Sequence, residues 1–354
     1  MARSIQDLWK QPALDGRGLR WRARIDVAGR EVSRSFSTKS QARGWLTNQE
    51  SALQRGDWIS PRKGLADFDS VAAVWLDRFG IRESTRERDR SYLHSMISPE
   101  IGSLAVAAIR PDDIDNMVRT LSDAGKAPAT VRKASQIVRA VLADAVRRGL
   151  ISRSPHVGIR LPKNEPEETR YLTVEELRQV VDALGDEDRP VALLGGFGGL
   201  RIGEVLGLKG SDIDRSAGSV RVERTATDLS AGVSVGPPKT PAAIRTVALP
   251  STVIEQLPEE SGWLFPNPDG ELPRSRRAWT RRRWRPAVES IGFAGLRFHD
   301  LRHSHVAVLI SRGVGPKAIA DRLGHRSVRT VLDVYGHLYE SADREIAEDL
   351  ETLL

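Results

Sequence analysis

Six side chains in this 354-residue chain have the types and spacing to act on one kind of bond. They are Arg201, Lys239, His299, Arg302, His325 and Tyr335. Guanidiniums bind the non-bridging oxygens of a phosphate in a bidentate way. An imidazole or an ammonium moves protons near neutral pH, and a phenol can form a covalent phosphoryl intermediate. Together they suit attack of a tyrosine on a phosphodiester. His299 and Arg302 are three apart and share a helical face, and His303 is four from His299. That last spacing also suits a helical zinc pair, but Asp300 stands where H-E-x-x-H has glutamate, and Arg302 would repel a dication. No metal and no cofactor is therefore expected. His303 and His305 read as structural histidines.

The local sequences around these positions say more than the residue types. The run Gly199-Leu200-Arg201-Ile202-Gly203-Glu204-Val205-Leu206-Gly207-Leu208 resembles the first arginine box of the tyrosine recombinase (phage integrase) family. Pro238-Lys239-Thr240, followed by Arg245-Thr246-Val247-Ala248-Leu249-Pro250, resembles the lysine β-hairpin of that family. His299-Asp300-Leu301-Arg302-His303 is similar to its second box, and Leu323-Gly324-His325 with Val334-Tyr335-Gly336-His337-Leu338 to its last two elements. The order and spacing match, and the likeness is to integrases of the three-domain phage type. It implies that Tyr335 attacks the scissile phosphate to give a 3′-phosphotyrosyl link and a free 5′-hydroxyl. Arg201, Arg302 and His325 would stabilise the phosphorane-like state, Lys239 would protonate the leaving oxygen, and His299 would handle the tyrosine proton. Tyr335 falls ten residues after His325, a long spacing that leaves Tyr339 as a competitor. Tyr92 and Tyr171 have the wrong context. Glu204 is placed to pair with Arg201 and orient it, and His325 is expected near a helix start. One departure stands out: Gly210 occupies a position where relatives commonly carry tryptophan, which alters packing behind Arg201 but removes no reacting group.

The composition agrees with a polyanionic partner. Net charge is +7 and the pI about 9.9, with no cysteine for disulfides, thiolate metal sites or a thiol nucleophile. There is no apolar run near membrane-spanning length and no signal-peptide core. A soluble intracellular protein without a membrane partner is the expectation, and the resemblance implies the bacterial cytoplasm, in association with the nucleoid.

Three segments must carry and position the six side chains. The fold class expected is multidomain and mainly α: a small α+β N-terminal domain, an all-α core-binding domain, and a mixed, mainly-α catalytic domain with a small β-sheet. Residues 1–61 have 11 basic and 6 acidic side chains, a net of +5. Trp21, Ala23, Ile25 and Val27 alternate with Arg20, Arg22, Arg24 and Asp26, which is the period of a strand. Ala28-Gly29 offers a turn, Glu31 to Phe36 a return strand, and Thr38 with Gln41 a capping box for a helix over 39–54. A sheet on one helix with Arg20, Arg22 and Arg24 on its open face suits arm-type DNA binding. Residues 65–155 read as helical, with apolar stripes at Ile114, Met117, Val118, Leu121 and from Val131 to Val146. The polar side of the second helix carries Arg132, Lys133, Arg139, Arg147 and Arg148, and it resembles the DNA-facing side of a core-binding domain. A proline-bearing linker at 156–169, part of a loose stretch from about 152, is expected to be exposed and poorly packed. The catalytic domain then spans 170–354.

Seven arginines lie between Arg274 and Arg285, interleaved with Trp279 and Trp284. At helical spacing the tryptophans would anchor a helix and Arg274, Arg276, Arg277, Arg281, Arg282 and Arg283 would reach phosphates. Ser341 to Leu354 reads as an acidic amphipathic helix that packs on its own domain or on a neighbouring protomer. The resemblance implies a site-specific recombinase on double-stranded DNA with core-type and arm-type sites. It further implies a homotetramer passing through a Holliday junction, with a host DNA-bending protein and a directionality factor as further partners. The outcome would be integration or excision of a phage or mobile element. A type IB topoisomerase-like relaxing enzyme and a catalytically silent DNA-binding regulator are the alternatives.

Overall fold

Ala23 and Ile25 turn inward from β2 (Trp21–Val27), and the polar residues between them face the other way. In the computed structural model, which describes residues 3–10, 18–27, 30–54, 63–164, 170–339 and 350–352, β2 is the centre of an antiparallel sheet. It pairs on one side with β3 (Arg30–Phe36), and on the other with β1 (Arg3–Asp7), a strand the sequence pattern does not announce. β1 has one apolar residue, Ile5, so no alternation marks it. Helix α1 (Lys39–Gln54) covers the apolar face through Ala42 and Leu46. Its capping box forms as expected, with the Gln41 amide donating to Thr38 Oγ1 and Gln41 Oε1 accepting from the Thr38 amide, each at 3.3 Å. The expected turn at Ala28-Gly29 lies outside the described residues.

The chain divides into two compact units, Met1–Glu165 and Pro166–Leu354. In the first, α2 (Phe68–Leu76), α3 (Glu83–Tyr92) with its π-helical extension to Gly102, α4 (Pro111–Asp123) and α5 (Pro128–Arg147) enclose one core. The stripes Ile114/Met117/Val118/Leu121 and Val131 to Ala145 are buried in it. Each valine, leucine, isoleucine or methionine among them removed from water contributes about 1.5–3 kcal/mol. Residues 154–162 are better packed than their composition suggests. The His156 ring meets Ser135 Oγ at 2.8 Å, the Arg160 amide donates to Asp115 at 3.1 Å, and Arg132 donates to the Pro162 carbonyl at 2.9 Å. Ile159 and Leu161 rest on the helical core. This part of the expected loose linker is therefore docked, because its few apolar residues find a groove that composition cannot reveal.

The second unit opens with α6 (Val174–Asp182), whose Thr173/Glu176 capping box forms, and α7 (Arg189–Gly196). After the one-turn α8 (Ile202–Leu206) come β4 (Ile213–Asp214), β5 (Ser219–Val222), the hairpin β6 (Thr225–Leu229) and β7 (Gly232–Gly236), and β8 (Arg245–Ala248). The sheet order is β4-β5-β8, all antiparallel. Helix α9 (Ser251–Ile254) follows. A helical stretch then runs through α10 (Arg276–Trp279), a π turn and α11 (Arg285–Ser290). The unit ends in α12 (Phe298–Ser311), α13 (Pro316–Leu323) and α14 (Arg329–Tyr335). α12 is buried on more than one side. Phe298 and Leu301 belong to the main core, whereas Val306 and Ile310 belong to a second cluster with α13 and α14. It is thus the beam on which the chemically interesting residues are mounted. The fold is mainly helical with small sheets, and no helix among the described residues is long and apolar enough to cross a membrane.

Candidate active site

The first arginine box folds as a helix cap. Arg201 is the N-cap of α8, and Glu204, three residues on, accepts from the Arg201 amide at 3.0 Å and from its Nη1 at 2.7 Å. Glu204 is only 3% exposed, so its charge needs more than one partner. Arg245, the first residue of β8, supplies the second, with Nη2 at 3.0 Å and Nη1 at 3.3 Å from the carboxylate. Arg302 Nη1 lies at 4.0 Å on the same group. Burial opposes ionisation of Glu204, but the hydrogen bond and charge of Arg245, then Arg201, outweigh it and hold the carboxyl below its ordinary range. One buried carboxylate therefore gathers three guanidiniums. The expected Arg201–Glu204 pair is present, and Arg245, which no local motif flags as functional, is added to it.

Arg302 is 2% exposed, and every contact aims its guanidinium. It donates through Nη1 to the Gly199 carbonyl and through Nη2 to the Leu323 carbonyl at 2.8 Å and His325 Nε2 at 3.1 Å. Gly199 has φ +67°, and a Cβ there would stand 2.7 Å from the His305 ring, so the turn that presents its carbonyl to Arg302 requires glycine. Burial and the neighbouring Arg201 charge pull Arg302 down to about 9. It is still charged at neutral pH, but it is a cation short of negative charge.

His325 lies where a helix ends, which corrects its expected place near a helix start. Gly324 closes α13 in the left-handed conformation, at φ +67°, and the His325 amide returns to the Ala320 carbonyl at 2.9 Å. The sequence shows a glycine before a histidine but not which side the helix is on. A guanidinium can only donate, so His325 Nε2 is an acceptor and its hydrogen sits on Nδ1. Nδ1 is buried and has no partner among the described residues. Burial, then Arg302, Arg201 and Arg245, push this imidazole down to about 4, so it is neutral at pH 7. The result is an unpaired N–H beside two arginines, an arrangement that calls for an anionic oxygen.

The second box divides its work. His299 keeps an open side to solvent, but desolvation, then the nearby His303, Arg302 and Arg201, push it down to about 4. Its ring meets that of His303 edge-on, 4.7 Å between centroids. His303, read from sequence as structural, carries the contact expected of His299. Its Nδ1 is 2.8 Å from the Tyr335 hydroxyl. His305 is structural as expected, with Nδ1 donating to the Gly196 carbonyl at 3.0 Å and Nε2 accepting from Arg322 at 3.0 Å.

Tyr335 ends α14 and is 3% exposed. Burial pushes the phenol up to about 12, and the charges of Arg302 and Arg201 pull against that rise. Tyr339, one turn on, points elsewhere and donates to the Val314 carbonyl at 3.4 Å. Five of the six positions thereby fall into two contact groups: Arg201 through Glu204 to Arg302 and on to His325, and His299 through His303 to Tyr335. Lys239 stands outside both groups. It is exposed on the loop after β7, beyond the hairpin rather than at its tip.

The outlying basic residues are less uniform than their sequence suggests. Trp279 and Trp284 are buried anchors, donating to Asp188 at 2.7 Å and to the Leu296 carbonyl at 2.8 Å. Arg274 is held by Asp188 at 2.6 Å, Arg283 lies 3.7 Å from both Glu187 and Asp188, and Arg276 is 3.9 Å from Asp228. Arg277, Arg281 and Arg282 are exposed. In the N-terminal sheet Arg20 is paired with Asp7 at 3.0 Å and Arg24 is 3.7 Å from Glu31, while Arg22 is half-buried. On α5, Arg132 and Arg139 are exposed, and Lys133 lies 4.0 Å from Asp89. Arg147 and Arg148 both pair with Asp144. Gly210 faces the backbone: a Cβ there would fall 1.5 Å from the Glu260 carbonyl oxygen. The space a larger residue would need is thus filled by the 260–262 segment.

Two family models match this chain. Residues 170–342 match the phage integrase family and residues 68–161 the phage integrase central domain. The chain belongs to the phage integrase family. It is a tyrosine site-specific recombinase. A putative prophage phiRv2 integrase of Mycobacterium tuberculosis is 27% identical, covering 90% of this chain and 88% of that protein. The integrase of Mycobacterium phage L5 is 26% identical, with 90% of each covered. Among solved structures, the Tn1549 transposon integrase in complex with transposon right end DNA superposes with TM-score 0.67 at 18% identity, over 81% of this chain and 100% of that one. A lambda integrase tetramer bound to a Holliday junction gives TM-score 0.56 at 20% identity, over 86% and 93%. The last two establish the likeness of fold.

Proposed function

We propose that this enzyme integrates or excises a phage or mobile element by cutting one DNA strand with Tyr335 and rejoining it through a 3′-phosphotyrosyl intermediate. The observation that carries the assignment of residues is the division of adjacent side chains on α12. Arg302 is tied to His325 and, through Glu204, to Arg201, and His303 holds the Tyr335 hydroxyl. A phosphate bound by the first group would stand beside the nucleophile held by the second. Arg201 and Arg302 would meet its non-bridging oxygens, and the free Nδ1–H of His325 would supply a third donor. Lys239, on its exposed loop, would reach the departing 5′-oxygen once DNA is bound. The covalent link conserves the phosphodiester energy, so a 5′-hydroxyl from another duplex can reverse the step.

The helical domain of residues 65–155 is the reading for core-site binding, joined by residues 156–169 to a catalytic domain of 170–354. Residues 1–61 are the reading for an arm-type domain, carried by the basic face of β2. The lambda integrase neighbour bound to a Holliday junction as a tetramer supports the same assembly here, with host DNA-bending and directionality factors as further partners. Most of the expected tail helix lies outside the described residues. The test is a duplex from the DNA flanking the gene, nicked beside the cut site so that rejoining is blocked. A denaturant-stable protein–DNA adduct is expected from the native chain and from Tyr339→Phe, and none from Tyr335→Phe. Relaxation of supercoiled DNA without strand exchange would point to a topoisomerase instead. No adduct on any flanking duplex would overturn the reading.

A further inference from the structure

Tyr335 is buried, and among the described residues the one hydrogen-bond partner of its hydroxyl is His303 Nδ1. A phenol that attacks phosphorus must lose its proton, and here a single side chain is placed to receive it. We propose that His303, the residue after the second-box arginine, is the catalytic base for Tyr335 in place of His299. The inference rests on Tyr335 being the nucleophile.

The two histidines differ in geometry. His299 stands on the open rim of α12, edge-on to His303, with no contact to the phenol; His303 lies between them. In the proposed step the phenol donates to Nδ1, so the neutral ring carries its hydrogen on Nε2. The Tyr335 Oη–P bond forms while the P–O5′ bond breaks. The phenol proton passes to Nδ1, leaving an imidazolium, and Lys239 gives a proton to the departing O5′. Rejoining returns both protons.

The groups facing His303 decide when it can act. On and beside its own helix are His299, Asp300, Arg302 and Arg297, and across from it on α14 is Tyr335, with Tyr171 packed against that ring at 6.5 Å. Burial depresses His303; Asp300 opposes this, and Arg297 and Arg302 add to it. The ring is therefore neutral and ready to accept at pH 7, but a weak base. A phosphodiester on Arg201, Arg302 and His325 brings a negative charge that offsets those arginines and strengthens the base. Substrate binding thus turns on the proton acceptor.

The test uses His303→Asn, in which the amide oxygen takes the place of Nδ1 and accepts the phenol hydrogen bond but cannot take up its proton. Single-turnover cleavage of the nicked duplex is followed from pH 6 to 10, with an ordinary substrate and with one whose bridging 5′-oxygen is replaced by sulfur. The sulfur leaves without protonation and removes the need for Lys239. For His303→Asn a loss of about 10²-fold or more at pH 7 is expected on both substrates, as for loss of a general base. The remaining rate should climb with hydroxide. Lys239→Ala, by contrast, should be rescued by sulfur. Native rates in His303→Asn would show that His303 only positions the ring, and faster cleavage in His303→Ala would show that it holds the nucleophile back. Either result overturns the proposal. If Tyr335→Phe still forms the adduct, the nucleophile assignment itself has failed, which is a different outcome.

Discussion

The two ends of the proposed active centre are built on opposite principles, although Arg302 and His303 are neighbours in the chain. The phosphate side concentrates charge: Arg201, Arg245 and Arg302 surround Glu204, and carbonyls of Gly199 and Leu323 fix the direction of Arg302. The nucleophile side is kept neutral. Tyr335 is buried with Val306, Ile319, Leu323 and Val331, and its one polar contact is an uncharged imidazole. A charged basin can be preorganised for a phosphate before DNA arrives. On the proposed assignment, a nucleophile stored in an apolar cluster would stay protonated until the substrate changed its surroundings. Selective activation follows from the contrast.

Mutations can break that contrast at either end. Tyr335→Phe should abolish covalent adduct while leaving the fold intact, checked by gel assay and circular dichroism. Glu204→Ala leaves Arg245 and Arg302 buried without their anion, and a loss of ~3–5 kcal/mol is expected. Urea unfolding measures it, and an unchanged midpoint would show the carboxylate to be dispensable. Arg201→Lys keeps the charge but loses the planar fork, so cleavage should fall by roughly 10²–10³-fold with little change in stability. His299, His305 and His325 have been pushed from 6.5 to about 4, 3 and 4, so the unfolded chain takes up protons that the folded one refuses. Stability should be level above pH 6.5 and fall as pH drops from there towards 4, seen as a declining melting temperature. The smallest effect is expected far from the site. Arg20→Ala, in an exposed pair with Asp7, should leave cleavage of a core-type duplex unchanged.

Much of the proposed site was legible because each candidate residue sits in a short local pattern. Arg201 and Glu204 are three apart, so one cap explains both, and Tyr335 is separated from Tyr339 by a turn that sends their hydroxyls to different partners. The parts that escaped reading depend on distant pairing. Arg245 reaches Glu204 across 41 residues, and His303 meets Tyr335 across 32. An i, i+4 spacing says only that His303 shares a face with His299, not what crosses above it. Helix ends were the other blind spot, as His325 shows. In the N-terminal sheet the alternation of β2 was clear, but β1 has too few apolar residues to give a period. The arginine count also overstated free charge, since Asp7, Glu31 and Asp188 answer several of those side chains.

The atom that becomes joined to DNA identifies the nucleophile most directly. Adduct trapped on the nicked duplex can be digested with trypsin and the peptide beginning at Thr330 fragmented in a mass spectrometer. That peptide holds both Tyr335 and Tyr339. The nucleotide remnant is predicted on Tyr335 alone. A remnant on Tyr339, or on any other residue, would contradict the claim that the phenol beside His303 is the nucleophile.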